Sequence, residues 1–367
     1  MVSEIYFWQH MQFILPILST ISIAALWLLL FRKRGVLDKP GPDIIPKRSP
    51  VPTMQWLFVF IAICVWFFVG FPQYIHHPIV QWLLAGCAIL LAIAARDERR
   101  YIRGQSDIPA WIRVIVQIGA IMVALYVGNI RIPEWTFQGM IIAIPKIVFA
   151  LFFVCRSLLC INAINRFDGV YGQASGVSSI GFLTTMLLIQ FVVLPYYVEI
   201  SIGHETILLL VRDMSYVLFV VSLVYTIIEY KPRWLVRDLG TMIFGFALAY
   251  LSIVWWVKIG TIIVALSLVI FDALRVGVHR LCVLRKSPLK WDYTHLHFRL
   301  LGLGRTRGEV RAFVRWRGLF MMVVMILQDT DRADKFIIFI ALAVIFFAIN
   351  GYLFWIKKLP CGLHIKK

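Results

Sequence analysis

The sequence predicts an all-α integral membrane protein of about eleven transmembrane helices, with its chemistry gathered at one membrane face. Three observations carry this. First, the 367-residue chain is 61% apolar and only 15% charged, with a mean hydropathy of +0.84. That is too little charge to coat a soluble domain of this length. Second, apolar runs near 20 residues recur, the length that crosses a hydrocarbon core of roughly 30 Å. Backbone polar groups in lipid must bond within their own segment, so such runs form helices. Third, Asp97-Glu98, Asn162/Asn165/Asp168, Asp238 and His295/His297 each follow an apolar run. If the runs alternate across a bilayer, all these clusters emerge on the same side.

The expected spans are 13–31, 56–72, 78–95, 113–130, 141–161, 175–195, 205–228, 239–256, 258–277, 316–328 and 336–356. The first is read as a retained span, since no small-residue cleavage site follows it. The loops after odd-numbered spans are 32–55, 96–112, 162–174, 229–238 and 278–315, and they hold most of the Lys and Arg. By the positive-inside rule these loops are cytoplasmic, the N-terminus outside and the C-terminus inside. Lys357, Lys358, Lys366 and Lys367 agree with that ending. The net charge of +18 then reflects cytoplasmic loops, not nucleic-acid binding. No internal repeat or low-complexity linker divides the chain, so residues 1–367 read as one polytopic domain. The six cysteines are scattered, without a CxxC pair, and suit small apolar packing.

Each polar cluster has a chemical and a plainer reading. The first loop holds D-K-P at Asp38–Pro40 and P-K-R-S-P-V-P at Pro46–Pro52. Lys39 and Arg48 there suit an anionic lipid headgroup, or simply follow the charge rule. Asp97-Glu98 offers two carboxylates for base or metal-partner work, or a salt-bridged helix end. In N-A-I-N-R-F-D-G, residues Asn162, Asn165 and Asp168 line roughly one face if the helix continues. Amide oxygens with a carboxylate are hard donors suited to Mg²⁺ and substrate phosphates; a polar cap before a glycine turn is the alternative.

Asp238 opens a span, where an N-cap contributes about 1 kcal/mol, and one carboxylate oxygen stays available for metal. Asp272 and the pair Arg212-Asp213 lie within apolar spans, where charge is costly and marks function or mutual pairing. In D-Y-T-H-L-H-F-R-L, His295 and His297 are two apart and diverge by about 200° on a helix. They suit phosphate or sugar better than zinc, and Arg299 adds a permanent cation.

Taken in order, these clusters resemble the polyprenyl-phosphate N-acetylhexosamine-1-phosphate transferase family, from about Gly35 to Gly308. G-V-L-D-K-P is similar to the family's first loop, and Asp97-Glu98 falls at its paired aspartates. N-A-I-N-R-F-D-G-V-Y-G resembles its N-x-x-N-x-x-D-G-x-D-G run. R-D-L-G-T is similar to its G-D-x-G-S motif, and Asp272 with H-L-H-F-R resembles its penultimate acid and histidine motif. The chain differs at Gln55-Trp56, Glu98, Tyr171, Arg237, Thr241 and Phe298.

The resemblance implies transfer of a sugar-1-phosphate from a UDP-amino sugar to polyprenyl phosphate, with UMP released. It implies Mg²⁺, or Mn²⁺ in its place, held by Asn165 and Asp238. Asp97, Glu98 and Asp238 would be catalytic, the first two organising or deprotonating the lipid phosphate. Asn162, Asp168, Asp272, His295, His297 and Arg299 would contact the nucleotide sugar, and Lys39 and Arg48 the lipid phosphate. It implies a prokaryotic inner membrane, membrane lipid as a partner, a homodimer as a further candidate, and no nucleic acid. Two rival readings stay open. Glu98, Tyr171 and Arg237 fit a catalytically impaired protein of the same fold, and Arg156, Arg212 and Asp272 fit an anion or lipid transporter.

Overall fold

The computed structural model describes residues 14, 17–26, 29–30, 37–38, 51–52, 55–103, 105–106, 108–126, 135–137, 140–142, 145–195, 205–230, 237–254, 263–288, 294–327, 337–338 and 340–348. Among them the regular structure is helical apart from two small antiparallel strand pairs. These are β1 (Leu37–Asp38) with β2 (Val51–Pro52), and β3 (Trp135–Phe137) with β4 (Met140–Ile142).

The helices are α1 (Ile17–Leu26), α2 (Gln55–Val65), α3 (Pro78–Ile102), α4 (Ala110–Tyr126), α5 (Lys146–Arg166) and α6 (Gln173–Leu188). They continue with α7 (Glu205–Ile228), α8 (Arg237–Val254), α9 (Ser267–Val278), α10 (Leu296–Gly302) and α11 (Arg307–Leu327). Among the described residues four stretches are long and apolar enough to cross a membrane: Pro78–Arg100, Lys146–Arg166, Gln173–Val193 and Glu205–Ile228. Four further apolar helices are shorter: Ile17–Leu26, Leu57–Gly70, Ala110–Tyr126 and Gly240–Val254. Large apolar side chains such as Phe68, Phe191, Ile227 and Phe320 stand exposed on the helices. An outer surface of that kind belongs to a membrane protein, whose solvent at that depth is hydrocarbon.

Several expected boundaries move, each for a local reason. The span expected at 141–161 starts at Lys146 instead, because Met140–Ile142 pairs with Trp135–Phe137 and Pro145 precedes the first turn. A residue before proline is pushed toward extended backbone. The span expected at 316–328 begins at Arg307. Its start is a capping box: Thr306 N–H donates to Glu309 Oε2 at 2.9 Å and Glu309 N–H to Thr306 Oγ1 at 3.2 Å. The segment 278–315 is therefore not one loop; it holds a π-helical end at His279–Val283, all of α10 and the first turns of α11. Likewise α3 and α5 run past the expected membrane edge, which puts Asp97, Glu98, Asn162 and Asn165 on helix.

The core of the bundle is the antiparallel pair α5 and α8. A Cβ at Gly245 would lie 2.6 Å from the Ile161 Cα, so only glycine allows this backbone approach. Helix α6 packs on α7, and α3 on α4. Buried hydroxyls of α6 fold back on their own helix: Ser178, Thr184 and Thr185 donate to the carbonyls of Ala174, Ile180 and Gly181. In the first half of α7, Arg212 and Asp213 pair with each other, Nη2 to Oδ1 2.7 Å. Tyr74 Oη donates to Asp213 Oδ2 at 3.1 Å and Arg212 Nη1 to Gln190 Oε1 at 3.0 Å. These contacts account for that charged pair as a tie between helices.

Candidate active site

The antiparallel packing of α5 and α8 brings the end of one to the start of the other. Thr241 Oγ1 donates to Asn165 Oδ1 at 2.9 Å. Asp238 lies three residues before Thr241, at the second position of α8. Its side chain, like Lys39 and Arg48 as whole residues, lies outside the described residues. Asn165 thus presents a carboxamide oxygen one helical turn from the acid the sequence marks. Among the described residues no group of three His, Cys, Asp or Glu is gathered closely enough to hold a metal. Among the described side chains the donor that fits a hard cation is the second lone pair of Asn165 Oδ1.

Asn162, one turn earlier, is tied inward. Its Nδ2 donates to Gln117 Oε1 at 2.9 Å and to the Leu158 carbonyl at 2.8 Å, and Gln117 Nε2 in turn points to Met242 Sδ. This chain links α4, α5 and α8, and it leaves the Asn162 carbonyl oxygen for any ligand. Gln117, the one side-chain amide in an apolar helix, is the part sequence reading passed over.

Helix α5 ends in the turn that carries Asp168: the Phe167 and Asp168 N–H groups bond back to the Ile164 and Asn165 carbonyls. Gly172 follows in the left-handed region with φ +67°, which starts α6. At Gly169 the missing side chain matters directly, since a Cβ there would sit 2.2 Å from His297 Nε2 and 2.5 Å from Phe298 Cζ. The histidine run therefore lies on this turn, with His297 edge-on to Phe167 at 5.2 Å between ring centroids.

Asp272 holds the histidine run in place. Its Oδ2 is 2.8 Å from His295 Nδ1, and its Oδ1 accepts from Leu296 N–H at 3.0 Å and Arg275 Nη2 at 2.9 Å. Arg275 Nη2 also donates to the Thr294 carbonyl at 2.7 Å. His295 is extended just before α10, so the two histidines escape the divergence expected on a continuous helix. Their rings stack at 5.9 Å with 9° between planes. His297 is fully buried, and neither ring nitrogen has a hydrogen-bond partner among the described residues. Burial, reinforced by nearby His295, pulls its pKa down to about 3 despite the opposing Asp272 charge. It is a neutral imidazole in the working pH range, a hydrogen-bonding group and not a cation. Arg299 lies half-buried one turn on, in the same helix.

Asp97 and Glu98 share a helix but not a direction, since adjacent positions on a helix do not face each other. Asp97 Oδ1 accepts from Ile108 N–H at 2.6 Å, and Arg113 Nη1 lies 3.6 Å from Oδ2. This closes the link between α3 and α4. Glu98 is buried. The basic segment after α9 is tied down as well, with Arg166 Nη2 donating to the Pro288 carbonyl at 2.5 Å.

All these contacts fall at one end of the bundle. The sequence profile of glycosyl transferase family 4 matches residues 56–256, more than half of the chain. The chain belongs to glycosyl transferase family 4. The matched segment includes α5, α8 and the Asn165–Thr241 contact between them. The chain is similar to a probable undecaprenyl-phosphate N-acetylglucosaminyl 1-phosphate transferase of Bacillus subtilis (strain 168). The two are 24% identical over 344 residues, 89% of this chain and 87% of that protein. It is similar to the undecaprenyl-phosphate alpha-N-acetylglucosaminyl 1-phosphate transferase of Escherichia coli O157:H7, 21% identical over 88% of this chain and 84% of that protein. The phospho-N-acetylmuramoyl-pentapeptide-transferase of Latilactobacillus sakei is 22% identical over 83% of this chain and 95% of that protein.

Proposed function

We propose that this chain transfers a sugar-1-phosphate, N-acetylhexosamine-1-phosphate by preference, from a UDP-amino sugar to polyprenyl phosphate in a prokaryotic inner membrane. The observation that carries this reading is the meeting of Asn165 with Thr241 and of His297 with Gly169, at the bundle end where α8 starts. It sets the Asn165 amide oxygen at the end of α5 and a neutral imidazole on the turn that follows. The reading keeps the arrangement of about eleven spans with this end cytoplasmic, as the basic loops require. The sugar transfer would start synthesis of a lipid-linked glycan.

In the reaction an oxygen of polyprenyl phosphate attacks the β-phosphorus of the UDP-sugar. A new P–O bond forms, the β-phosphorus to bridging-oxygen bond breaks, and UMP leaves with that oxygen. Asn165 and Asp238 would hold Mg²⁺, or Mn²⁺ in its place. When bound, the ion neutralises the diphosphate and aligns it for in-line displacement. Asp168, His295 and His297 orient the nucleotide sugar with Asn162, and Arg299 supplies the fixed positive charge a diphosphate needs. Asp272 acts through His295. Asp97 and Glu98 organise the lipid phosphate, with Lys39 and Arg48 near its headgroup.

An apolar cavity of about 320 Å³ suits a short stretch of the isoprenoid chain. It lies between α5, α8 and α9 against Leu159, Leu248 and Ile270, and starts five residues along α5 from Asn165, at Cys160. Arg156 stands in its wall, bonded to Ser252 Oγ and the Ala249 carbonyl.

UMP release by purified protein given polyprenyl phosphate, Mg²⁺ and UDP-N-acetylglucosamine, beside Asp238→Asn, tests the reading. Release abolished by the substitution in folded protein is the expected result. No release with any of a panel of UDP-sugars overturns it. Retained UDP-sugar binding would then mark a non-catalytic relative, and substrate flux in liposomes without UMP a transporter.

A further inference from the structure

The turn that carries Asp168 is also gripped from a helix beyond the family match. Arg307, Arg311 and Arg315 stand four residues apart on α11, and so on one face. Arg311 Nη1 donates to the carbonyls of Tyr171 at 3.3 Å and Tyr230 at 3.1 Å, and its guanidinium lies 4.3 Å over the Tyr230 ring. Arg315 Nη2 donates to the Gly172 carbonyl. Arg307 lies 5.1 Å over the ring of Tyr171, the residue that stands where the resemblance has an acid. Glycine at 176 admits the approach, since a Cβ there would be 2.6 Å from Arg315 Nε. Beside them Ser175 Oγ donates to buried Glu229 at 2.6 Å, tying the start of α6 to the end of α7.

We propose that Arg311 and Arg315 are positioning residues for the nucleotide-sugar site, fixing the Tyr171 and Gly172 carbonyls and through them Asp168 and Gly169. This rests on the function proposed above. Arginine suits the task because one planar fork donates to carbonyls from two elements while stacking on a ring. Lysine reaches one carbonyl at a time and loses the stack. Positional errors near 1 Å in a substrate-orienting element cost about 100-fold in rate.

The test uses the full-length protein in lipid nanodiscs, as wild type, Arg311→Gln and Arg311→Lys, and has two arms. In hydrogen–deuterium exchange, Arg311→Gln speeds exchange of the peptide spanning 167–173, while α8 keeps its protection. Arg311→Lys falls between. In kinetics, kcat/KM for UDP-N-acetylglucosamine falls about 10- to 100-fold, KM for polyprenyl phosphate stays unchanged and Tm moves little. Unchanged exchange over 167–173 overturns the proposal whether or not the wild type turns over. Equal losses for both substrates, in step with a lowered Tm, overturn it in favour of a purely structural role. If Arg311→Gln does not fold, Arg311→Lys carries both arms. A wild type without turnover removes the transferase reading alone, and the exchange arm still decides the clamp.

Discussion

Asp272 and His295 meet across 2.8 Å, Oδ2 to Nδ1, with both side chains essentially closed to solvent. A carboxylate can only accept, so Nδ1 carries the hydrogen and the tautomer of His295 is set by the acid. The same carboxylate takes the Leu296 N–H and Arg275. One acid from α9 thus aims the whole histidine run. Asp272→Asn is expected to leave Arg275 without its counter-charge and to turn one of the two accepting oxygens into a donor. Removing one member of such a buried set costs about 3–5 kcal/mol. Thermal unfolding should show a marked drop, and UMP release should fall at least about 100-fold, the scale of a misplaced orienting group.

The Thr241–Asn165 bond offers a finer test. Thr241→Val keeps the shape and removes the donor, leaving Asn165 Oδ1 without that 2.9 Å partner. A stability loss of about 1 kcal/mol is expected, with activity down about 10-fold and a higher Mg²⁺ requirement. Thr241→Ser keeps the hydroxyl and should retain most activity. Metal titration of UMP release separates the two variants.

Glycine positions give a third prediction. Gly169→Ala puts a Cβ 2.2 Å from His297 Nε2, so the ring must move, and activity should be lost with little change in Tm. Gly245→Ala instead meets the Ile161 backbone at 2.6 Å, which has no flexible end to yield. It should destabilise by about 1–3 kcal/mol and part α5 from α8. Comparing the Tm of the two variants with their turnover distinguishes a site effect from a packing effect.

His297 makes stability fall in acid. Its folded pKa is lowered from the ordinary 6.5 to about 3 by burial and by His295. Between those values the unfolded chain binds a proton that the folded chain does not, so the stabilisation is complete above pH 6.5 and fades toward pH 3. His297→Gln should flatten this part of the profile. Unfolding followed at pH 5 and 7.5 in detergent should show a smaller pH-dependent Tm difference in the variant than in the wild type.

Much of the candidate site could be read from order and spacing. Asn165 and Asp168 are polar residues at the end of an apolar run, and lipid leaves few reasons for them except caps and chemistry. Gln117, Arg275 and the α11 arginines were harder to see. Gln117 is a single amide whose partner is 45 residues away in sequence. Arg275 looks like ordinary positive-inside charge until its bond to Asp272 is seen. The arginine ladder carried one legible signal, the T-R-G-E capping box at Thr306–Glu309 with arginines every fourth residue after it. Hydropathy hides such a start, because charged first turns resemble a loop.

Sequence alone determined that the chain is a helical membrane protein and which polar residues share one end. Hydrocarbon solvent admits few backbone solutions, and run length marks where each apolar helix ends. Only tertiary structure decided which of those residues touch. The Asn165–Thr241 bond depends on the glycine contact that lets α5 and α8 approach, and the seat of His297 on Gly169 depends on Asp272. Such contacts join residues far apart in the chain through packing geometry, which no local pattern of residues encodes.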